Sequence, residues 1–441
     1  MDRLARLNIT RSSLESRRAD LLQQLDELDR SLKQNGVERA EFAPVNIIPE
    51  EILRRIFDFI YVACTPHDAP YVQSKCDPLP LTYVCRRWRR TAIALTTIWT
   101  CLHLDRRVEL FNLFAKRSMG RPLHIVHMRE QGPPAAQTTL AIQLASRWKS
   151  VMLGPLPMGV SQLFHIGPVE LPLLEYVDID NSCQVAVFHA LGTASTPNLI
   201  HLKLVAFRVP FRHSDLRSLR YLYLGRISIS GRYLFDLSAA APQLSDLTLD
   251  MIDGWEDDPE RTVSFPCLKK LTSILMDWEA LLEYIDTPCL QTLGCDKGLL
   301  LAESSGTLKS YPSVTCIRFS NSFIESGSNP EETLFDGHIF QQMPFTTRLE
   351  LIDCPNIQLA LRFLCTRSLD NENLLLKRLR TLVITQLGSD HYDILLELVR
   401  RRTSLSPPLE ELKLGEKLSA AMGSDLKRTL AGLVTVTTYT A

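Results

Sequence analysis

Leucine recurs every seven residues at the start of the chain, at Leu7, Leu14, Leu21 and Leu28. Leu4, Leu25 and Leu32 fall on the second seam of the same heptad frame. No Pro or Gly interrupts residues 4–34, so the spacing predicts one long helix with coiled-coil periodicity. Arg11 and Arg18 occupy two seam positions and weaken any pairing. The expectation is a weak homodimer or partner-binding coil through 4–34, against an amphipathic helix that lies on the next domain or frays. Asn35-Gly36 predicts its end, and the segment is bounded as 1–40.

A denser helical pattern follows Pro44. Pro49, Glu50 and Glu51 suit a first helical turn, where a missing N–H costs nothing and the dipole favours negative charge. Ile52, Leu53, Ile56, Phe57 and Ile60 read as one apolar face. Residues 64–80 hold four prolines, Pro66, Pro70, Pro78 and Pro80, and predict a loop. Val84, Trp88 and Ile93 form a second stripe, with Arg86, Arg87, Arg89 and Arg90 around it. The arginines could mark a nucleic-acid patch, but their stems more readily cover apolar surface with the heads in water.

Beyond residue 105 the pattern changes to Leu-x-x-Leu-x-Leu. Clear copies start at Leu174, Leu199, Leu219, Leu244, Leu379 and Leu409, with weaker ones at Trp148, Leu268, Leu290, Val314 and Thr346. Starts from Leu174 to Leu409 are separated by 25, 20, 25, 24, 22, 24, 32, 33 and 30 residues. The last two apolar residues of each copy, at i and i+2, point to one side of a short strand. Intervening stretches such as DHYDILLELVRRR, with Ile394, Leu395, Leu398 and Val399 in one stripe, read as helices. RPLHIVHM predicts an early strand and LVTVTTYT a last one.

Two resemblances follow. Ile48-Pro49-Glu50-Glu51-Ile52-Leu53-Arg54-Arg55-Ile56-Phe57, then Val84-Cys85-Arg86-Arg87-Trp88-Arg89, then Ile98-Trp99 resembles an F-box over about residues 46–104, bounded here as 41–104. The long proline-rich gap is similar to that in the F-box proteins of mushroom-forming fungi. The resemblance implies a small all-α module that binds the Skp-type adaptor of a cullin–RING ubiquitin ligase. Its adaptor surface would map onto Ile48, Pro49, Ile52, Leu53, Ile56, Val84, Cys85 and Trp88, with Trp99 packing the end. About residues 145–420 resemble a degenerate leucine-rich-repeat array, bounded as 105–441 with the stretch 105–145 joining it to the F-box. The family's Asn/Cys turn slot is filled here only by Cys354. The implied fold is α/β: an N-terminal helix, the F-box, then a curved solenoid with a parallel sheet.

Together these imply a substrate-recognition subunit of a Skp–cullin–F-box ligase, binding the adaptor by one module and a protein target by the other. The alternative is a repeat scaffold that does not direct ubiquitylation. Residues between the strand leucines, among them Asp178, Lys203, Tyr223, Thr248, Arg318, Glu350 and Lys413, would face the concave side. Lys203, Arg220, Tyr221 and Tyr223 form the expected target site, suited to an acidic or phosphorylated peptide.

Composition narrows the field. The 441 residues are 45% hydrophobic and 22% charged, with 49 Lys+Arg against 50 Asp+Glu and a net charge of -1. Those are values of a folded chain, and they give no global pull toward nucleic acid or an anionic membrane. The charged N-terminus predicts no signal peptide, and no apolar run reaches the ~18 residues of a membrane span. Eleven cysteines without a CxxC pair predict reduced thiols and a cytoplasmic or nuclear protein. No phosphate loop, GxSxG or HExxH occurs, so neither a catalytic residue, a metal site nor a cofactor is expected. His124 and His127 would point to opposite faces of a strand. The acidic stretch 253–260 lacks EF-hand spacing.

Overall fold

The structure, a computed structural model, describes residues 2–41, 48–62, 77–129, 134–154, 170–180, 186–187, 196–211, 216–251, 255–256, 262–275, 281–282, 284–296, 299–300, 310–324, 340, 342–366, 376–405 and 407–439. Two compact units divide the chain: residues 1–100 with 114–121, and residues 101–113 with 122–441.

The first unit is helical. Helix α1 spans Asp2–Glu41, α2 Glu50–Val62, α3 Leu79–Val84 and α4 Arg86–Ala94, followed by a 3-10 turn at Thr96–Trp99. Helix α1 runs straight through Asn35-Gly36, against the expected stop. A glycine inside a helix costs only about 1 kcal/mol. Side-chain pairs four residues apart support the turns on either side, including Arg30–Asp26 at 3.2 Å and Gln34–Glu38 at 3.0 Å. The proline-rich loop also ends earlier than expected, because Pro80 sits in the first turn of α3, where its ring is tolerated. Residues 63–76 of that loop lie outside the described residues. Between α3 and α4 the chain breaks at Cys85, which is extended and whose Sγ accepts the Trp88 N–H at 3.4 Å. Cys85 is thus the N-cap of α4.

The second unit is built on one open parallel sheet. Its strands are β1 Cys101–His103, β2 Leu123–His127, β3 Trp148–Leu153, β4 Tyr176–Asp180, β5 His201–Val205, β6 Tyr221–Gly225 and β7 Asp246–Asp250. They continue as β8 Lys270–Ile274, β9 Thr292–Asp296, β10 Cys316–Ser320, β11 Arg348–Ile352, β12 Thr381–Ile384, β13 Glu411–Gly415 and β14 Thr435–Tyr439. Each of the 14 strands pairs with the next in chain order. The early strand expected in RPLHIVHM is β2 and the last one in LVTVTTYT is β14. Strand β1 lies within the range assigned above to the helical module. With α5 Val108–Arg117, α6 Ala135–Gln143, α7 Gly231–Ala240, α8 Ile357–Thr366, α9 Tyr392–Thr403, α10 Glu416–Ala421 and α11 Ser424–Ala431, the described residues hold 11 helices.

The alternation of each strand sends its leucines to one face. Val177, Leu202, Leu222, Leu247, Leu271, Leu293, Ile317, Leu349, Leu382 and Leu412 stand in register and are buried. Burying one such side chain stabilises by roughly 1.5–3 kcal/mol. After the strand, the backbone turns through the left-handed region at Ala206, Arg226, Met251, Leu275, Asn321 and Asp353. Non-glycine residues adopt it at a cost of about 1 kcal/mol. Hydrogen bonds offset that cost: Ala206 donates to Gly225 O at 2.7 Å, Arg226 to Asp250 O at 2.8 Å and Met251 to Ile274 O at 2.9 Å.

The connections depart from the expected strand-plus-helix repeat. Several carry two-residue strands that pair in parallel, such as Ile229–Ser230 with Trp255–Glu256 and Val263–Ser264 with Ile285–Asp286. Cys354, in the family's turn slot, is buried and donates from Sγ to Phe319 O and Ile352 O, both at 3.4 Å. Ser322 serves the preceding coil, donating from Oγ to Cys295 O and Ser320 O at 3.1 Å.

The described cysteines are free thiols. Burial pushes the Cys354 and Cys365 thiols up to about 11. A thiol raised in the folded state leaves stability intact below its unfolded value near 9, then withdraws it as pH rises through 11. At about 1.4 kcal/mol per pKa unit, Cys354 removes up to roughly 2–3 kcal/mol over that window, and the less enclosed Cys365, screened by solvent, removes less. The gap between urea midpoints at pH 8 and pH 10.5 should therefore narrow when both cysteines are changed to Ala, with Cys316 and the buried tyrosines keeping the rest. An equal alkaline loss in that variant would refute the assignment.

Candidate functional site

Helix α2 carries apolar side chains on two sides. Leu53 and Phe57, four residues apart, are fully buried, and Phe57 meets the half-buried Trp88 edge-on at 5.0 Å. Ile52, Ile56, Phe59 and Ile60 follow i, i+4, i+7, i+8 spacing on the other side and are exposed, Phe59 by 77%. The sequence reading merged both stripes into one face. Phe59 was missed, although its spacing from Ile52 and Ile56 could have found it. The end of α3 adds Tyr83 and Val84, both exposed.

The nine residues implied by the first resemblance therefore separate. Pro49, Ile52, Ile56 and Val84 are exposed, and Ile48, Cys85 and Trp88 are half-buried. Leu53 and Trp99 are interior. Trp99 donates from Nε1 to Ala92 O at 2.8 Å, meets Phe114 edge-on at 5.0 Å, and carries the Arg117 guanidinium over its ring at 4.3 Å. Two of the four clustered arginines serve the module itself: Arg87 donates to Ile48 O, and Arg89 Nε to Thr82 O at 2.7 Å.

The open face of the sheet forms three rows of side chains, at the first, third and fifth strand positions. Lys203 and Tyr223 are register partners, as the repeat spacing predicts, with Lys203 Nζ 5.7 Å from the ring centre. In the first row Tyr176, His201 and Tyr221 stack with centroids 4.2 and 4.1 Å apart and planes within 12° and 8°. Arg220 precedes β6 with the opposite parity and does not join these rows.

The electrostatics of this face differ from the expected cationic cluster. Lys203 pairs with Asp178 at 3.2 Å, and the Tyr223 hydroxyl donates to Asp250. Burial raises the Asp178 carboxyl, and Lys203 opposes that rise. Burial and then Asp250 push the Tyr223 phenol well above its ordinary value. Asp246 takes Lys270 at 3.2 Å on Oδ2. Among the described residues, Asp180 Oδ1 and Asp246 Oδ1 are buried without a hydrogen-bond partner. On β4–β7, four aspartates thus face one lysine, Lys203. Gly225 gives the face its shape, because a Cβ there would stand 3.1 Å from the Tyr223 ring. Sequence reasoning missed Gly225 and the aspartates at the strand ends.

Farther along, Glu350 is buried between Arg348 at 2.5 Å and Arg318 at 3.7 Å. A groove of about 600 Å³ lies at the turns before β11–β13, lined by Thr347, Arg378, Arg380, Thr381, Pro407 and Glu410. Arg380 and Glu410 pair across it at 3.2 Å. Among the described residues, no three His, Cys, Asp or Glu side chains gather as metal ligands, and no helix is long and apolar enough to cross a membrane. Most of the acidic stretch 253–260 lies outside the described residues. No protein-family model matches the chain, and no curated protein matches its sequence.

Proposed function

We propose that this chain is a substrate-recognition subunit of a Skp–cullin–F-box ubiquitin ligase. The observation that carries the reading is α2: Leu53 and Phe57 hold the module together from inside, while Ile52, Ile56, Phe59 and Ile60 stay exposed. A module this small cannot bury all its apolar side chains, and a partner's helices can cover the remainder. Together with the Pro49-Glu50, Cys85-Arg86-Arg87-Trp88 and Ile98-Trp99 elements, this supports an F-box that offers Ile52, Ile56 and Val84 to a Skp-type adaptor and, through it, a cullin. Leu53, Phe57 and Trp99 then fix the shape of that surface and do not touch the adaptor.

The parallel-strand unit reads as a leucine-rich-repeat-like array that holds the target. It supplies proximity and orientation, and no bond-making group. Its aspartate-bearing face on β4–β7 suits a positively charged target segment and disfavours an acidic or phosphorylated one. A deca-lysine peptide should bind the full chain and a deca-glutamate peptide should not, by fluorescence anisotropy at low salt. Asp180→Asn with Asp246→Asn should weaken deca-lysine binding about tenfold. Unchanged binding by that variant would move the target site elsewhere.

Affinity purification of the tagged chain under proteasome inhibition tests the reading as a whole. Recovery of adaptor and cullin together is expected. Adaptor without cullin would favour a non-ubiquitylating scaffold, and neither would refute the F-box assignment.

A further inference from the structure

Helix α1 is 40 residues long, about 60 Å, and its described side chains are exposed. Leu7, Leu14, Leu21, Leu25, Leu28 and Leu32 lie along it, each more than half exposed. An isolated helix in water gains little from propensity alone, so a helix bearing an apolar seam is stabilised when another helix covers the seam.

The charges say which helix fits. Residues 2–20 carry five basic and three acidic side chains, a net of +2. Residues 21–41 carry three basic and five acidic ones, a net of -2. Parallel copies would bring like-charged halves together. Antiparallel copies bring each positive half against a negative one. The heptad frame permits that arrangement in one register. With residues whose numbers sum to 39 set opposite, Leu25 meets Leu14, Leu32 meets Leu7, Arg18 meets Leu21 and Arg11 meets Leu28 of the second copy. A two-fold axis requires such reciprocity, since residue i must meet j while j meets i. Arg11 then stands beside Asp29 of the second copy, so this seam arginine, which disfavours a parallel pair, gains an opposite charge.

We propose that α1 is a self-association element that pairs two copies of this chain antiparallel, with a dissociation constant on the order of 10 µM. The dimer carries two target-binding units, and a target with two docking segments gains avidity from both. This inference does not depend on the F-box reading.

Sedimentation equilibrium of the full chain at low salt tests it through charge reversal. Arg11→Glu with Arg18→Glu makes the first half net negative; Asp26→Lys with Asp29→Lys makes the second half net positive. Each pair should weaken dimerisation at least tenfold, and the four changes on one chain should restore it. Restoration also shows that the substitutions do not act by melting the helix, which circular dichroism checks separately. A wild-type chain that stays monomeric at ~100 µM, or a fourfold variant no stronger than the twofold ones, overturns the proposal.

Discussion

Changing Trp99 to alanine is expected to lower the unfolding free energy of the helical unit by about 3–5 kcal/mol. The side chain is fully buried. Its indole N–H satisfies the Ala92 carbonyl at the end of α4, its ring abuts Phe114 at 5.0 Å, and its face carries Arg117 at 4.3 Å. The variant loses the apolar area, the edge-on aromatic contact and the cation–π contact at once, and it leaves a cavity. Trp99→Phe keeps most of the volume and loses only the indole donor, so it should cost about 1–2 kcal/mol. Native-state hydrogen exchange of the α2 and α4 amides in increasing urea reads both variants. A Trp99→Ala loss below that of Trp99→Phe would contradict the interior role.

The second large effect is on binding. Ile52→Asp with Ile56→Asp should abolish adaptor binding, by more than about 100-fold, while leaving the thermal midpoint within a few degrees of wild type. Both residues are exposed on α2, so the charges stay solvated in the free protein and are desolvated only in a complex. Leu53→Asp serves as the contrast. It buries a carboxylate in the core and should unfold the module outright, so loss of binding in that variant says nothing about the surface. Undiminished binding by the folded Ile52→Asp/Ile56→Asp variant would detach the adaptor from this face.

The strands were legible because their signal is periodic. Leucines two apart recur at intervals of 20–33 residues, and β4–β13 begin two residues after the repeat starts. Register follows from the same spacing, which is why Lys203 beside Tyr223 is legible in the sequence alone. The paired two-residue strands in the connections could not, since two residues hold no period. The stop expected at Asn35-Gly36 failed because a local preference worth about 1 kcal/mol is outweighed by a long helix continuing on both sides. On α2 the apolar positions were right but the inside was not. Ile52 and Leu53 are adjacent in sequence, and only packing shows that Leu53 and Phe57 take the interior. The sign of the open face was misjudged for a different reason. Lys203 and Tyr223 were read apart from their partners Asp178 and Asp250, which lie 25 and 27 residues away.

The central claim is that the exposed side of α2 is built to be covered by a Skp-type adaptor. Isothermal titration of the purified full chain with purified adaptor tests it most directly. A one-to-one complex with a dissociation constant below about 1 µM and a negative heat-capacity change is the predicted result. No heat at ~50 µM of either protein, with the chain shown to be folded, would contradict it.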